Sequence, residues 1–392
     1  MPARINRNLV TVVLFYLIYF MGVSVFANFM PIFLTEHVGM TSYQLGIILA
    51  VGPVSLILVQ PLWGLRADRA RYKNTVLILL LALSLLASLL IPLRYSFWYI
   101  IGVIFLFNCF MTAINPVSDT ITVELCQTHK WDFGRIRMAG AIGYSVMGLV
   151  AGIVISGVIL RLFPLFALMM VLTIGIVCFM PRVPGHQREK VKAPYLQLLR
   201  NKKLLTVIII SFAANFTLTM HYGFFAVYFR ELGGTTALLG LAVFCASMLE
   251  LPFAFFSKKV IAKLGGSEKT LLLSIGVMAI RWALASMATT PHMLLLINGL
   301  HGFSFIVLTV TATIFIGEAV PPEMKASGQA LHGMLSFGLA RILGSITGGF
   351  LVGLWGKSGM FMVAAGFNVL VLLVFVPLVL RGRAAQVYTD SK

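Results

Sequence analysis

The chain has 392 residues, of which 59% are hydrophobic and 11% charged, with a formal net charge of +18. Soluble globular chains carry about 25% charged residues, so this composition excludes an ordinary soluble protein. The positive charge would suit nucleic-acid binding, but the basic residues recur in alternate loops between apolar runs, which argues against it.

The first apolar run, Leu9 to Leu34, follows Arg4 and Arg7. It is too long for a signal peptide and lacks a small-residue cleavage pattern, so it reads as the first membrane span. Further spans follow at 43–65, 74–93, 97–126, 134–160, 162–181, 204–230, 236–257, 270–289, 292–317, 326–354 and 358–380. Each can cross a hydrocarbon core of about 30 Å. All are expected to be helices, because an open sheet edge leaves backbone groups unpaired in lipid. The predicted class is therefore an all-α integral membrane protein of twelve transmembrane helices.

Arg4, Arg7, Arg66, Arg69, Arg71, Lys73, Lys130, the stretch from Arg182 to Lys203, Lys258, Lys259, Lys263, Lys269, Lys325, Arg381 and Arg383 would all lie on one side. The opposite loops hold only Arg94, Arg161, Arg230 and Lys357. By the positive-inside rule both termini are expected in the cytoplasm. The basic, proline-containing segment 182–203 divides the chain into an N-terminal six-helix bundle (1–181) and a C-terminal one (204–392). Cys109, Cys126, Cys178 and Cys245 have no metal-ligand spacing and read as packing residues, and no metal or cofactor is expected.

The end of span 2 reads Gln60-Pro61-Leu62-Trp63-Gly64, and the end of span 8 reads Leu251-Pro252-Phe253-Ala254. Each is followed by basic residues, so the two halves look like repeats. Gly64-Leu65-Arg66-Ala67-Asp68-Arg69-Ala70-Arg71-Tyr72-Lys73 resembles the G-x-x-x-D-R-x-G-R-K loop motif of the major facilitator superfamily, departing from it at Ala70 and Tyr72. That resemblance implies two parallel six-helix repeats with a substrate site near the midplane between them. Gly64 would make a tight turn, and Asp68 with Arg69 would form a gating latch; the plainer reading is a simple positive loop. Gly140, Gly143, Gly148 and Gly152 in span 5, and Gly338, Gly344, Gly348 and Gly349 in span 11, read as close helix packing in lipid.

Ionisable side chains at the bilayer centre cost about 2.5–3.5 kcal/mol each even on lenient scales, so they face cavities and have partners. Asp119 and Arg137 lie equally far before and after Thr128, the expected hairpin midpoint, which puts them at similar depth. They form either a solute grip, through the forked guanidinium, or a permanent interhelical salt bridge. Glu250, Arg281 and His301 on spans 8, 9 and 10 resemble a proton relay. Desolvation favours the neutral form of a carboxyl in hydrocarbon, the property a proton carrier needs. The plainer reading of His301 is a satisfied hydrogen-bonding residue. Arg341 and His221 are weaker additions.

Asp132 to Gly140 resembles the start of helix 5 in oligosaccharide/proton symporters of the lactose permease type, and Leu300-His301-Gly302-Phe303 resembles their helix 10. The 3-phenylpropionate/proton symporter group is more similar still, through His221-Tyr222-Gly223-Phe224-Phe225, Glu250 to Lys258, Arg281-Trp282 and Leu300-His301-Gly302. The resemblance implies solute binding by Asp119, Arg137, Tyr144, His221 and Tyr222, and proton coupling by Glu250, Arg281 and His301. Two departures stand out. Tyr144 takes the place of a sugar-stacking tryptophan, and Ser304 that of the proton-carrying glutamate, which shifts that role to Glu250.

The expected function is proton-coupled uptake of a small organic solute, an aromatic acid, sugar or nucleoside. The alternative is proton-driven efflux of drugs or sugars. A receptor or enzyme is disfavoured, because the loops are short and no nucleophile–base or H-E-x-x-H pattern occurs. The expected partners are the solute, protons and membrane lipids, without nucleic acid, for a monomer in the bacterial cytoplasmic membrane.

Overall fold

The computed structural model describes residues 7–185, 198, 201–320 and 324–390. Within them the chain is helical, with no strand. The helices are α1 (Arg7–Ile32), α2 (Ser42–Leu58), α3 (Gln60–Arg69), α4 (Lys73–Leu90), α5 (Phe97–His129), α6 (Phe133–Val154) and α7 (Leu162–Phe179). They continue with α8 (Lys202–Glu231), α9 (Thr236–Lys263), α10 (Ser267–Ser286), α11 (Pro291–Asn298), α12 (His301–Ala319), α13 (Lys325–His332) and α14 (Ala340–Asp390). Among the described residues nine helical segments are long and apolar enough to cross a bilayer. The last of these, Ser327–Leu378, is two helices merged across Gly356, whose φ of 68° breaks the helix. With the shorter apolar helices Thr236–Pro252 and Val307–Gly317, the spans match the twelve expected. Most of the linker, with Arg4, falls outside the described residues.

Helix starts follow from local chemistry. Thr41 and Gln44 form a reciprocal capping box at α2, which satisfies two of the amide donors that a helix N-terminus leaves unpaired. Asp132 caps α6, Asn201 caps α8 and Thr290 caps α11. Lys130 closes α5 in the left-handed region at φ 56°, which reverses the chain between α5 and α6.

Three expectations about local structure change. Gly64 makes no turn: it lies inside α3, which restarts after Val59 with Pro61 in its first turn. Proline is suited to that position because the amide it lacks would be unpaired there. The turn falls instead at Ala70–Tyr72. In the second half α9 runs through Pro252 to Lys263 without a break, so Lys258, Lys259 and Lys263 are helical. Span 10 is not one helix but two, α11 and α12, interrupted at Gly299 and Leu300.

The chain forms two compact units, Met1–Val191 with Gly234–Met248, and Lys192–Gly233 with Leu249–Lys392. In the first, α1 packs on α6 and α7, and α4 and α2 on α5. A Cβ on Gly143 would meet the Leu17 carbonyl oxygen at 2.1 Å, so the backbones of α6 and α1 touch. In the second unit α14 packs on α10 and α8, and a Cβ on Gly344 would lie 2.4 Å from the Phe216 carbonyl oxygen. Glycine is required at both crossings, as the packing reading of these stripes anticipates.

Candidate functional site

Each unit holds a buried polar cluster built on an arginine. In the first, α5 brings Asp119 and α6 brings Arg137 to the same level, and Arg137 Nη1 donates to Asp119 Oδ1 at 2.8 Å. Tyr16 on α1 donates its hydroxyl to the same oxygen at 2.7 Å and lies 3.2 Å from Thr122 Oγ1. The Arg137 guanidinium sits over the rings of Phe20 (4.9 Å) and Tyr16 (5.3 Å). A cation over an aromatic face is attracted by the ring quadrupole, so Arg137 is held on its face as well as its edge. About a third of each ionised side chain remains exposed, leaving the pair accessible. Tyr144 is two turns further along α6 and its hydroxyl bonds to the Asn28 side chain (3.1 and 3.3 Å).

In the second unit the central residue is Arg281 on α10, fully buried. Its Nη1 lies 2.8 Å from His301 Nδ1 and 3.2 Å from Ser304 Oγ; its Nη2 lies 2.9 Å from His221 Nε2 and 2.5 Å from Asn298 Oδ1. The far side of the His301 ring faces Glu250 on α9, with Nε2 to Oε1 at 3.2 Å, and Tyr222 Oη at 3.0 Å. The break before α12 and the glycine after His301 make this possible. A Cβ on Gly302 would sit 2.6 Å from the Leu249 carbonyl oxygen, so only glycine lets α12 approach α9 closely enough for His301 to reach Glu250. Tyr222 is exposed, whereas His221 is 5% exposed and flanked by Phe225 and Trp282 at 4.7 and 5.0 Å. The structure therefore joins Glu250, Arg281, His301, Tyr222 and His221 in one network, with His221 in its buried wall.

A third cluster surrounds the turn after α3. Lys73 is 2% exposed, paired with Glu124 on α5 and 3.9 Å from Asp68. Arg69 ends α3 exposed. The chain leaving α7 lies against this turn: Lys73 donates its amide to the Val183 carbonyl, and Gly185 donates to that of Ala70. Asn74 bridges Pro181 and Val183, and Arg182 lies over Tyr72 at 5.5 Å. A cavity of about 840 Å³ opens beside it, lined by Asp68, Lys73, Glu124, Asp119 and His129 among others.

Tyr16, Asn298 and Glu124 were not anticipated. Tyr16 and Asn298 sit inside apolar runs with no pattern to distinguish them, whereas Glu124, an acid within span 4, was a visible signal. Among the described residues no group of three or more His, Cys, Asp or Glu is arranged to hold a metal.

Comparison with known proteins agrees with this architecture. Residues 9–363 match the MFS_1 like family. The chain is 24% identical over 375 residues to the maltose permease of Geobacillus stearothermophilus, covering 95% of each. It is 24% identical over 370 residues to a probable 3-phenylpropionic acid transporter of Escherichia coli, covering 89% of this chain and 92% of that one. The crystal structure of the nucleoside transporter NupG superimposes with a TM-score of 0.84 at 16% identity, covering 95% of this chain and 99% of that one. The chain thus belongs to the MFS_1-like family and is a multi-pass membrane protein of the major facilitator superfamily, a secondary transporter of small solutes and not an enzyme.

Proposed function

We propose that this transporter is a proton-coupled symporter that takes up a small organic solute across the bacterial cytoplasmic membrane, with both termini in the cytoplasm. The observation that carries the reading is the 3.2 Å contact of Glu250 Oε1 with His301 Nε2, whose other nitrogen lies 2.8 Å from Arg281. A carboxyl in that position exchanges a proton against a fixed positive charge, so its protonation changes what Arg281 and His301 hold on to. Asp119, Arg137, Tyr144 and Tyr222 bind solute, and Asp68 with Arg69 serves the latch. Residues 1–181 and 204–392 are the two six-helix repeats, joined by 182–203, in a monomer surrounded by lipid. The basic loops support the orientation.

The solute class follows from relatives named for maltose and 3-phenylpropionic acid and a structural neighbour named for nucleosides. The test is a thermal-shift screen of purified protein against maltose, raffinose, 3-phenylpropionic acid and nucleosides at two pH values. Transport of the stabilising compound into de-energised cells follows. Uptake with alkalinisation of the medium supports symport; confirmed uptake without any pH change removes it, and net export of the compound reverses the direction.

A further inference from the structure

Hydrogen-bond chemistry fixes where the protons sit around Arg281. A guanidinium offers five N–H donors and no acceptor. Arg281 addresses His301 at Nδ1 (2.8 Å) and His221 at Nε2 (2.9 Å), so both ring nitrogens present lone pairs to it. Each neutral imidazole then keeps its one proton on the opposite nitrogen. For His301 this is Nε2, which faces Glu250 and Tyr222. For His221 it is Nδ1, which is buried with no hydrogen-bond partner.

A buried N–H without an acceptor is unfavourable. The ring would avoid it by turning over, were its Nε2 not engaged by Arg281. A second proton on either ring would put N–H against N–H and break the contact with the guanidinium. The groups around the network are Tyr222 and His221 on α8, Glu250 on α9, Arg281 on α10 and His301 on α12, with Arg341 on α14 in electrostatic reach of Tyr222. Of these, Glu250 alone can take a proton without displacing Arg281.

We propose that His221 is a positioning residue for proton coupling: by accepting from Arg281 it holds the guanidinium where both histidines stay neutral and the proton goes to Glu250. This goes beyond the solute-contact role expected for His221 and rests on the coupling role proposed for Glu250. The remaining acceptors of Arg281 are His301, Ser304 and Asn298. With one of four lost, the guanidinium is drawn toward the Glu250 carboxylate and opposes its protonation.

The test uses the full-length protein in lipid nanodiscs and needs no solute. Nitrogen-15 spectra of labelled histidines should give His301 protonated at Nε2 and His221 at Nδ1, both neutral while Glu250 titrates. The infrared carboxyl band that Glu250→Gln removes reports that titration. His221→Phe should move its midpoint toward acid by about one pH unit or more. His221→Gln, whose Oε1 can accept from Arg281, should restore at least half of the shift. Doubly protonated His301 while Glu250 is still ionised, or an unmoved midpoint in folded His221→Phe, overturns the proposal. Should His221→Phe fail to fold, the wild-type tautomers and the His221→Gln midpoint decide. If the spectra behave as expected but Glu250→Gln still concentrates solute, the coupling reading fails while the hold of His221 on Arg281 stands.

Discussion

Asp119 and Arg137 stand on opposite arms of a helical hairpin, and Arg137 shares one Asp119 oxygen with Tyr16: Arg137 Nη1 and Tyr16 Oη both donate to Asp119 Oδ1, at 2.8 and 2.7 Å. In the proposed solute-binding role, the second carboxylate oxygen and the rest of the guanidinium edge would meet the ligand. Arg137→Lys replaces a planar fork by a point charge, which cannot pair with Asp119, cover the Phe20 ring and meet a solute together. Affinity for whichever screened compound stabilises the wild type should fall about tenfold or more, near 1.4 kcal/mol, by calorimetric titration. Unchanged affinity would reduce the pair to a salt bridge between two helices.

Glu250→Gln keeps the shape of the side chain and a hydrogen-bonding oxygen for His301 but cannot exchange a proton. Accumulation against a gradient should drop by about an order of magnitude or more, because an uncoupled carrier only equilibrates its solute. Exchange at equal concentrations in proteoliposomes should persist. A variant that still concentrates its solute would place the proton elsewhere.

Lys73 distinguishes the two carboxylates that lie near it. Glu124 pairs with it directly, whereas Asp68 lies 3.9 Å away and is 38% exposed. Glu124→Gln leaves a buried ammonium poorly compensated and should cost about 2 kcal/mol, below the 3–5 kcal/mol of a fully buried pair because Glu124 is partly exposed. Asp68→Asn should change stability by about 0.5 kcal/mol or less and act on turnover, with solute affinity intact. Thermal unfolding in detergent ranks the two, and the reverse order would contradict this assignment.

Gly143→Val and Gly344→Val push a side chain into a neighbouring backbone, so the helices must separate. Each should destabilise by about 2–4 kcal/mol. Gly175→Ala, with nothing within 4 Å of the added carbon, should be neutral or slightly stabilising through helix propensity. Equal effects at all three positions would remove the close-packing explanation.

Much of this was legible because lipid imposes simple rules. Run length gave the spans, and equal distances from Thr128 gave the contact of Asp119 with Arg137. The meeting of Glu250, Arg281 and His301 needed the family resemblance, since nothing in their spacing brings three separate helices together. What was missed depends on detail that periodicity does not carry. Gly64 looked like a turn because glycine often is one, but Pro61 starts a helix there. Tyr16 is an ordinary aromatic in an apolar run until α6 delivers Arg137 beside it. His221 resembled a ligand residue, yet its helix turns it toward Trp282 and Arg281 rather than outward.

Through His301, Arg281 is linked to one carboxylate, Glu250, whose charge, when it is ionised, offsets that of the guanidinium. Neutralising Glu250 leaves an uncompensated positive charge inside the membrane-spanning part of the protein. Moving one elementary charge through a membrane potential of about 100 mV is worth about 2.3 kcal/mol. A carrier with Glu250 as its proton site would therefore draw on voltage as well as on acidity. Uptake of an uncharged solute by proteoliposomes held at equal pH should then respond to a potassium diffusion potential, interior negative.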